Sequence, residues 1–183
     1  KMRKILFSMV TSALFAGFLV ANEFVLDEAH TSVNFKIKHM QISNVMGNFT
    51  EFEAQKIDFD VENKELKALE ATIKTASINT NNQKRDEHLR TDDFLGAQKN
   101  PEIKFVSKTV RGDSITGDLT LKGVTKEMIF EYKFGGMTKK DDKMKIGFTL
   151  EGKISRKDFG VGESGAFLDD NIKIIIEVEA QEK

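Results

Sequence analysis

The densest run of side chains capable of chemistry is "NTNNQKRDEHLRTDDF", residues 79–94. Arg85, Asp86 and His88 stand together there. An arginine oriented by a neighbouring carboxylate offers two parallel N–H donors to a phosphate or carboxylate head group. A histidine beside it can donate to the same group or close a strand end. The same three residues can equally pin a surface loop to the rim of the protein, and residue types alone leave both readings open. The other histidines, His30 and His39, form no HxH, HxxxH or HExxH spacing, so no single element carries two metal ligands and no metal or cofactor is expected. Ser32, two residues after His30, suits a hydrogen-bonded pair on one side of a strand. No G-x-S-x-G elbow supports a nucleophile, and "GVGESG" at 160–165 lacks the lysine and hydroxyl of a phosphate loop and reads as a flexible turn. The absence of cysteine excludes thiol catalysis, disulfide staples and cysteine-ligated metals. No catalytic residue is expected.

The elements that must position these residues are strands. "SVNFKIKHM" puts Val33, Phe35 and Ile37 on one side and Asn34, Lys36 and Lys38 on the other. "KIDFDVE", "ATIKTASI", "EIKFVSKTV", "SITGDLTLKG", "EMIFEYKF", "KIGFTLEGKIS" and "NIKIIIEVEA" repeat that alternation. Period-two patterning means one face inward and one in water, the mark of antiparallel strands. Eight such runs joined by short turns predict an all-β meander closed into an eight-stranded antiparallel barrel, with turns at residues 111–113, 122–123, 135–136 and 139–143. Residues 79–98 break the pattern and predict a long connection with a short helix near 80–98, where Arg90 stands four residues after Asp86 and can pair with it.

The inward faces are rich in phenylalanine, of which the chain has 15, with no tryptophan. Phe35, Phe105, Phe130 and Phe148, with Ile73 and Leu119, either line a lumen that holds one elongated apolar ligand or fill the barrel as core. Over 183 residues the formal net charge is −1, which gives no reason to expect nucleic acid. Residues 1–21 open with Lys1, Arg3 and Lys4, run apolar from Ile5 to Val20 and reach Ala21, the layout of a cleavable secretory signal. The apolar run is short for a membrane span. A mature domain over residues 22–183, carrying 25 basic and 29 acidic groups, is therefore expected in the periplasm.

Four ordered blocks resemble the YceI-like family of exported, polyisoprenoid-binding, lipocalin-like proteins. They are "FVLDEAHTSVNFKIKHMQISNVMGNF", "ASINTNNQKRDEHLRTDDFLGAQKNPEIKF", "GDLTLKGVTK" and "ISRKDFGVG", and together they span the chain from residue 22 onward. The resemblance implies a lipocalin-like barrel with an elongated apolar cavity that binds a polyisoprenoid, isoprenoid quinone or fatty amide. It marks Asp27, His30, Ser32, Arg85, Asp86, His88, Arg156 and Phe159 as family-characteristic, with Phe159 joining the ligand-lining set and Arg156 the polar cap. The expected function is a non-enzymatic carrier of a long amphiphilic lipid, with transient membrane contact and a homodimer as further partners. An enzyme acting on an isoprenoid lipid through His30 or His88, and a stress-related structural protein whose barrel is merely core, are the alternatives.

Overall fold

The computed structural model describes residues 22–163 and 167–183. The expected signal segment, residues 1–21, lies outside that range, as does part of the expected turn at 160–165. Eleven hydrogen-bonded segments build one antiparallel sheet. They are β1 (Asn22–Leu26), β2 (Ser32–His39), β3 (Ser43–Phe49), β4 (Phe52–Asp60), β5 (Glu65–Lys74), β6 (Ile78–Asn79), β7 (Glu102–Arg111), β8 (Ser114–Leu121), β9 (Val124–Lys140), β10 (Lys143–Ser155) and β11 (Leu168–Glu182). The sheet order is β1-β4-β5-β7-β8-β9-β10-β11-β2-β3-β6, and β1 also pairs with β11, which closes the ring.

These segments make eight staves because two of the staves are interrupted. β1 and β2 succeed one another along the same edge of β11: Leu26 faces Ala180 and Ser32 faces Glu177. Opposite them, β3 pairs with β2 and β4 with β1. The eight-stranded closed barrel predicted from the alternation is therefore the observed fold. β6 is a two-residue bridge on the C-terminal end of β3, at Asn48 and Phe49. Closure removes the exposed strand edges that an open sheet would present to other chains.

Two sequence expectations need correction. Gly135-Gly136 is not a turn but lies inside the 17-residue β9. Gly136 faces Gly147 and Phe134 faces Phe148, so Gly135 is the extra residue of a β-bulge that bends the long strand around the barrel. Arg90 does not pair with Asp86; its guanidinium donates to the carbonyls of Ala76 and Ile78, at 2.7 and 2.9 Å. The expected hairpin at 139–143 is present, with Asp141 and Asp142 both in the left-handed region that a tight two-residue hairpin requires.

The interior is divided along its length. At the lower end, near the 61–64, 111–113 and 141–142 turns, the barrel is solid. Phe24, Phe59 and Phe134 pack ring on ring there, Tyr132 lies 5.5 Å from Phe148, and Ile57, Ile115, Ile146 and Ala180 are almost wholly buried. At the upper end the connection between β6 and β7 crosses the opening. It carries α1 (Gln83–Arg90), whose first turn is capped by Asn82 accepting from the Arg85 backbone N–H at 3.0 Å.

Candidate functional site

Beneath α1 the barrel is hollow. A cavity of about 490 Å³ runs down from the cap, lined by Phe35, Ile37, Phe49, Ile73, Phe105, Leu119, Phe130, Leu150, Ile154 and the inward isoleucines 172, 174 and 176 of β11. Leu89, Phe94 and Leu95, from the helix and the turn after it, form the lid.

The hollow exists because three of its aromatic rings lie flat against the wall over cross-strand glycines. A Cβ on Gly47 would come within 2.9 Å of Phe35, one on Gly117 within 2.6 Å of Phe105, and one on Gly152 within 2.9 Å of Phe130. Each ring thus occupies the place of a missing neighbouring side chain, covering exposed backbone while leaving the axis of the barrel open. Phe105 and Phe130 also meet edge to face at 5.5 Å, a favoured aromatic geometry. Part of this signal was legible in the sequence: Gly117 and Gly152 fall at inward positions of alternating runs, whereas Gly47 lies on β3, whose alternation it interrupts.

The cap is held by a compact relay. Asp86, only 6% exposed, accepts from the Thr80 backbone N–H at 2.9 Å and from its hydroxyl at 2.6 Å. Arg85 donates from Nε to that same hydroxyl oxygen at 2.7 Å and from Nη2 to the Thr80 carbonyl at 2.9 Å. The aspartate orients the arginine through Thr80 rather than by direct pairing. Nε and Nη2 of Arg85 are therefore committed to the loop, while the side chain still borders the cavity. His88 also borders the cavity, with its ring 4.8 Å from Phe94 in an edge-to-face contact.

Arg156 is 1% exposed and closes the floor of the loop after β10. Its guanidinium donates to the carbonyls of Val161, Glu163, Leu168 and Asp169, and lies 3.3 Å from the Asp170 carboxylate. An arginine here satisfies carbonyls that a buried loop would otherwise leave unpaired. It touches the cavity wall, but its donors serve the fold.

The remaining sequence-selected residues lie elsewhere. Phe148 belongs to the solid lower core and Phe159 is buried behind the cavity wall, so neither borders the hollow. His30 and Ser32 are outside the barrel, at the interruption between β1 and β2. The His30 ring stands 3.1 Å from Asp27, and Ser32 accepts from the Asn34 amide at 2.8 Å. Lys145 from β10 binds both Asp27 (3.0 Å) and Glu179 (2.7 Å). Hydrogen bonding from Lys145, then from His30, holds the Asp27 carboxyl below the usual carboxylate range. Among the described residues, Asp27, His30 and Glu179 form a group whose ligand atoms approach as a metal site would, and the Lys145 ammonium already supplies its cation. The cluster fastens the interrupted stave to β11. His39, by contrast, two residues after the inward Ile37, lines the cavity.

Comparison with known proteins agrees with this architecture. Residues 24–180 match the model of the YceI-like domain. A UPF0312 protein of Staphylococcus epidermidis is 36% identical over 159 residues, covering 82% of this chain and 92% of the relative. A UPF0312 protein of Staphylococcus aureus is 38% identical over 140 residues, covering 75% and 81%. Among solved structures, the Campylobacter jejuni YCEI protein superposes with a TM-score of 0.75 at 49% identity, over 86% of this chain and 96% of that one. A polyisoprenoid binding domain from Saccharophagus degradans shares the fold, with a TM-score of 0.67 at 11% identity over 88% and 99%. With the barrel, its capped hollow and a match over nearly the whole described chain, the protein belongs to the YceI-like family.

Proposed function

We propose that the protein is a periplasmic carrier that holds one long-chain amphiphilic lipid, a polyisoprenoid, isoprenoid quinone or fatty amide, inside the upper barrel. The observation that carries this reading is the apolar cavity beneath a polar cap, within the size range of small-molecule sites of roughly 300–1,000 Å³. The apolar leader of residues 1–21 supports export. A fold shared with a polyisoprenoid binding domain supports a lipid as the ligand and a binding protein rather than an enzyme.

The cavity sets the length of chain it can enclose. An apolar cavity of about 150 Å³ accepts one benzene, or about 25 Å³ per carbon. By that scale about 490 Å³ encloses roughly 20 carbons. A C40 chain leaves half its length outside the barrel. Burying about 20 carbons at about 0.8 kcal/mol each gives roughly 16 kcal/mol of gross driving force. Lost translation, rotation and chain ordering offset about 4–15 kcal/mol of it. Arg85 and His88 at the rim then fix the head group's position and contribute little to the affinity.

The test is a series of unbranched or prenyl alcohols from about 10 to about 30 carbons, titrated into delipidated protein. Affinity should rise about fourfold per added carbon and level off near 20. Native mass spectrometry of protein taken from its own compartment should show one bound lipid. No length dependence, together with no co-purifying lipid, refutes the carrier.

A further inference from the structure

The β2–β3 hairpin projects from the cavity end of the barrel and carries an unusual concentration of exposed apolar side chains. Ile42 is 83% exposed, Met46 67% and Met40 47%. Phe167, 68% exposed, is tied beside them, because its carbonyl accepts from the Met40 N–H at 2.7 Å. The other exposed large apolar side chains, Val25, Val106, Val124 and Ile129, lie on other strands, whereas these four gather at one tip, and such a cluster marks an interaction surface.

The surroundings of the tip select the partner. Met46 faces Lys36 across the hairpin, Lys36 faces Lys173 on β11, and Lys173 faces Lys153 on β10. Lys38 stands next to the tip on the same outer face of β2. Among the described residues Lys36, Lys38 and Lys153 take part in no ion pair, Lys173 pairs with Glu151, and the Asp170 carboxylate is neutralised by Arg156 and Lys157, which leaves Asp169 as the acidic group of that segment without an ion pair against three such lysines. An apolar tip ringed by unpaired ammonium groups complements an anionic bilayer: the tip enters the acyl boundary and the lysines meet the head groups. A second copy of the chain fits poorly, because a symmetric contact would bring the same lysine row against itself. The tip also adjoins the cavity, since His39, Val45, Phe167 and Leu168 line its wall.

We infer that the β2–β3 hairpin tip, with its lysine collar, is the surface by which the protein seats on an anionic membrane, and that the cavity loads and unloads at this contact. The loading half rests on the carrier reading; the docking half does not.

The experiment is vesicle flotation of the mature protein with phosphatidylglycerol–phosphatidylethanolamine vesicles, against pure phosphatidylcholine as control. Wild type should float with the anionic vesicles, and binding should weaken with salt. Ile42→Asp with Met46→Asp should lower partitioning by about tenfold or more. Lys36→Glu with Lys38→Glu should cost about fivefold per lysine and abolish the preference for anionic lipid. All four positions are solvent-facing, so unchanged circular dichroism and melting temperature establish that the variants are folded. Equal flotation of wild type and both variants, or no flotation of wild type, overturns the docking surface. A tip-dependent dimer without vesicle binding overturns it in favour of self-association. Lipid extracted from the Asp variant distinguishes the two proposals. If lipid is retained while flotation is lost, both stand; if flotation is tip-dependent but no lipid is found in any form, docking stands and the carrier fails.

Discussion

Gly152→Ala tests whether the upper barrel is a cavity or a filled core. The new Cβ would lie 2.9 Å from Phe130 Cε1 and closer still to Cδ1. Carbon atoms rest at about 3.5–4.0 Å, so the ring must retreat by about 1 Å. The space it retreats into is the lumen, past the edge-to-face contact with Phe105. If the lumen is open, the delipidated protein should lose less than about 1 kcal/mol, because replacing a strand glycine by alanine itself returns about 0.5–1 kcal/mol. The methyl and the displaced ring together remove the space of one to two carbons. At about 0.8 kcal/mol per carbon, ligand affinity should fall by roughly 4- to 15-fold. Urea unfolding of the delipidated protein reads the first quantity, and displacement of a fluorescent polyene fatty acid reads the second. Gly117→Ala is the control. Its Cβ would meet the Val106 carbonyl oxygen at 2.5 Å, and no ring movement relieves a backbone clash, so that variant should be plainly destabilised. A Gly152→Ala protein that loses about 2 kcal/mol or more while binding the probe as tightly as wild type would refute an open lumen behind Phe130.

Tyr132→Phe should stabilise the protein by about 1 kcal/mol in urea unfolding, because the buried Oη has no hydrogen-bond partner among the described residues. Burial also pushes that phenol up to about 12, so it stays neutral throughout the physiological range. Arg156→Lys should lower stability by about 3 kcal/mol, or roughly 6–12 °C in melting temperature, since a single ammonium cannot span four carbonyls and a carboxylate. Acid should weaken the fold through Glu102, whose carboxyl is held down to about 2 by hydrogen bonds from Lys104 and then Lys74. Between about 4.5 and 2 the unfolded chain binds a proton that the folded chain does not, so this contribution is present above that window and is lost as pH falls through it. Lys74→Met with Lys104→Met should flatten the pH–stability curve there, as followed by thermal melts from pH 2 to pH 5 on about half-unit steps.

Much of the barrel could be read from alternation because its staves have one dry and one wet face. β1 escaped that reading because five residues, "NEFVL", are too few for a period to declare itself. β3 escaped it because its inward positions are Val45, Gly47 and Phe49, and the glycine breaks the apolar count. The same glycine helps to open the lumen beneath Phe35. What weakened the strand signal therefore belongs to the site. The helix was legible as an interruption, and the Thr80–Asp86–Arg85 relay was implied by residue types without its hub, Thr80. Phe148 and Phe130 look alike in sequence, since both are inward on long strands. Only their height in the barrel separates them, and that depends on register across β9 and β10, set by the bulge at Gly135. His30 and His88 were equally indistinguishable. The pairing of Asp27 and Glu179 through Lys145 puts the first outside the barrel, and that contact joins residues more than a hundred positions apart.

The division of the interior follows from where the aromatic rings find partners. At the lower end rings meet rings: Phe24 on Phe59, Phe59 on Phe134, Tyr132 on Phe148. The Phe59–Phe134 stack joins β4 to β9 across the axis, while the other two pairs lie between neighbouring strands and thicken the wall around it. At the upper end Phe35, Phe105 and Phe130 lie over glycines, so their apolar area is spent on the wall and none of them reaches across. Packing fills the axis in the lower half, where β1 joins β4 to β11, while the upper half is held by the β11–β2–β3 ladder and by side chains packed along its wall. The upper half therefore needs no ring contacts through its axis. It carries a cap whose side-chain contacts run from Arg85, Asp86 and Arg90 into the adjoining loop and β6, and which is fastened across the mouth by the Gly162 N–H donating to the Asp93 carbonyl at 2.9 Å. A barrel solid throughout would gain stability and lose its site, and one hollow throughout would lack the ring contacts that fix its register. Stability and binding occupy different ends of the same eight staves.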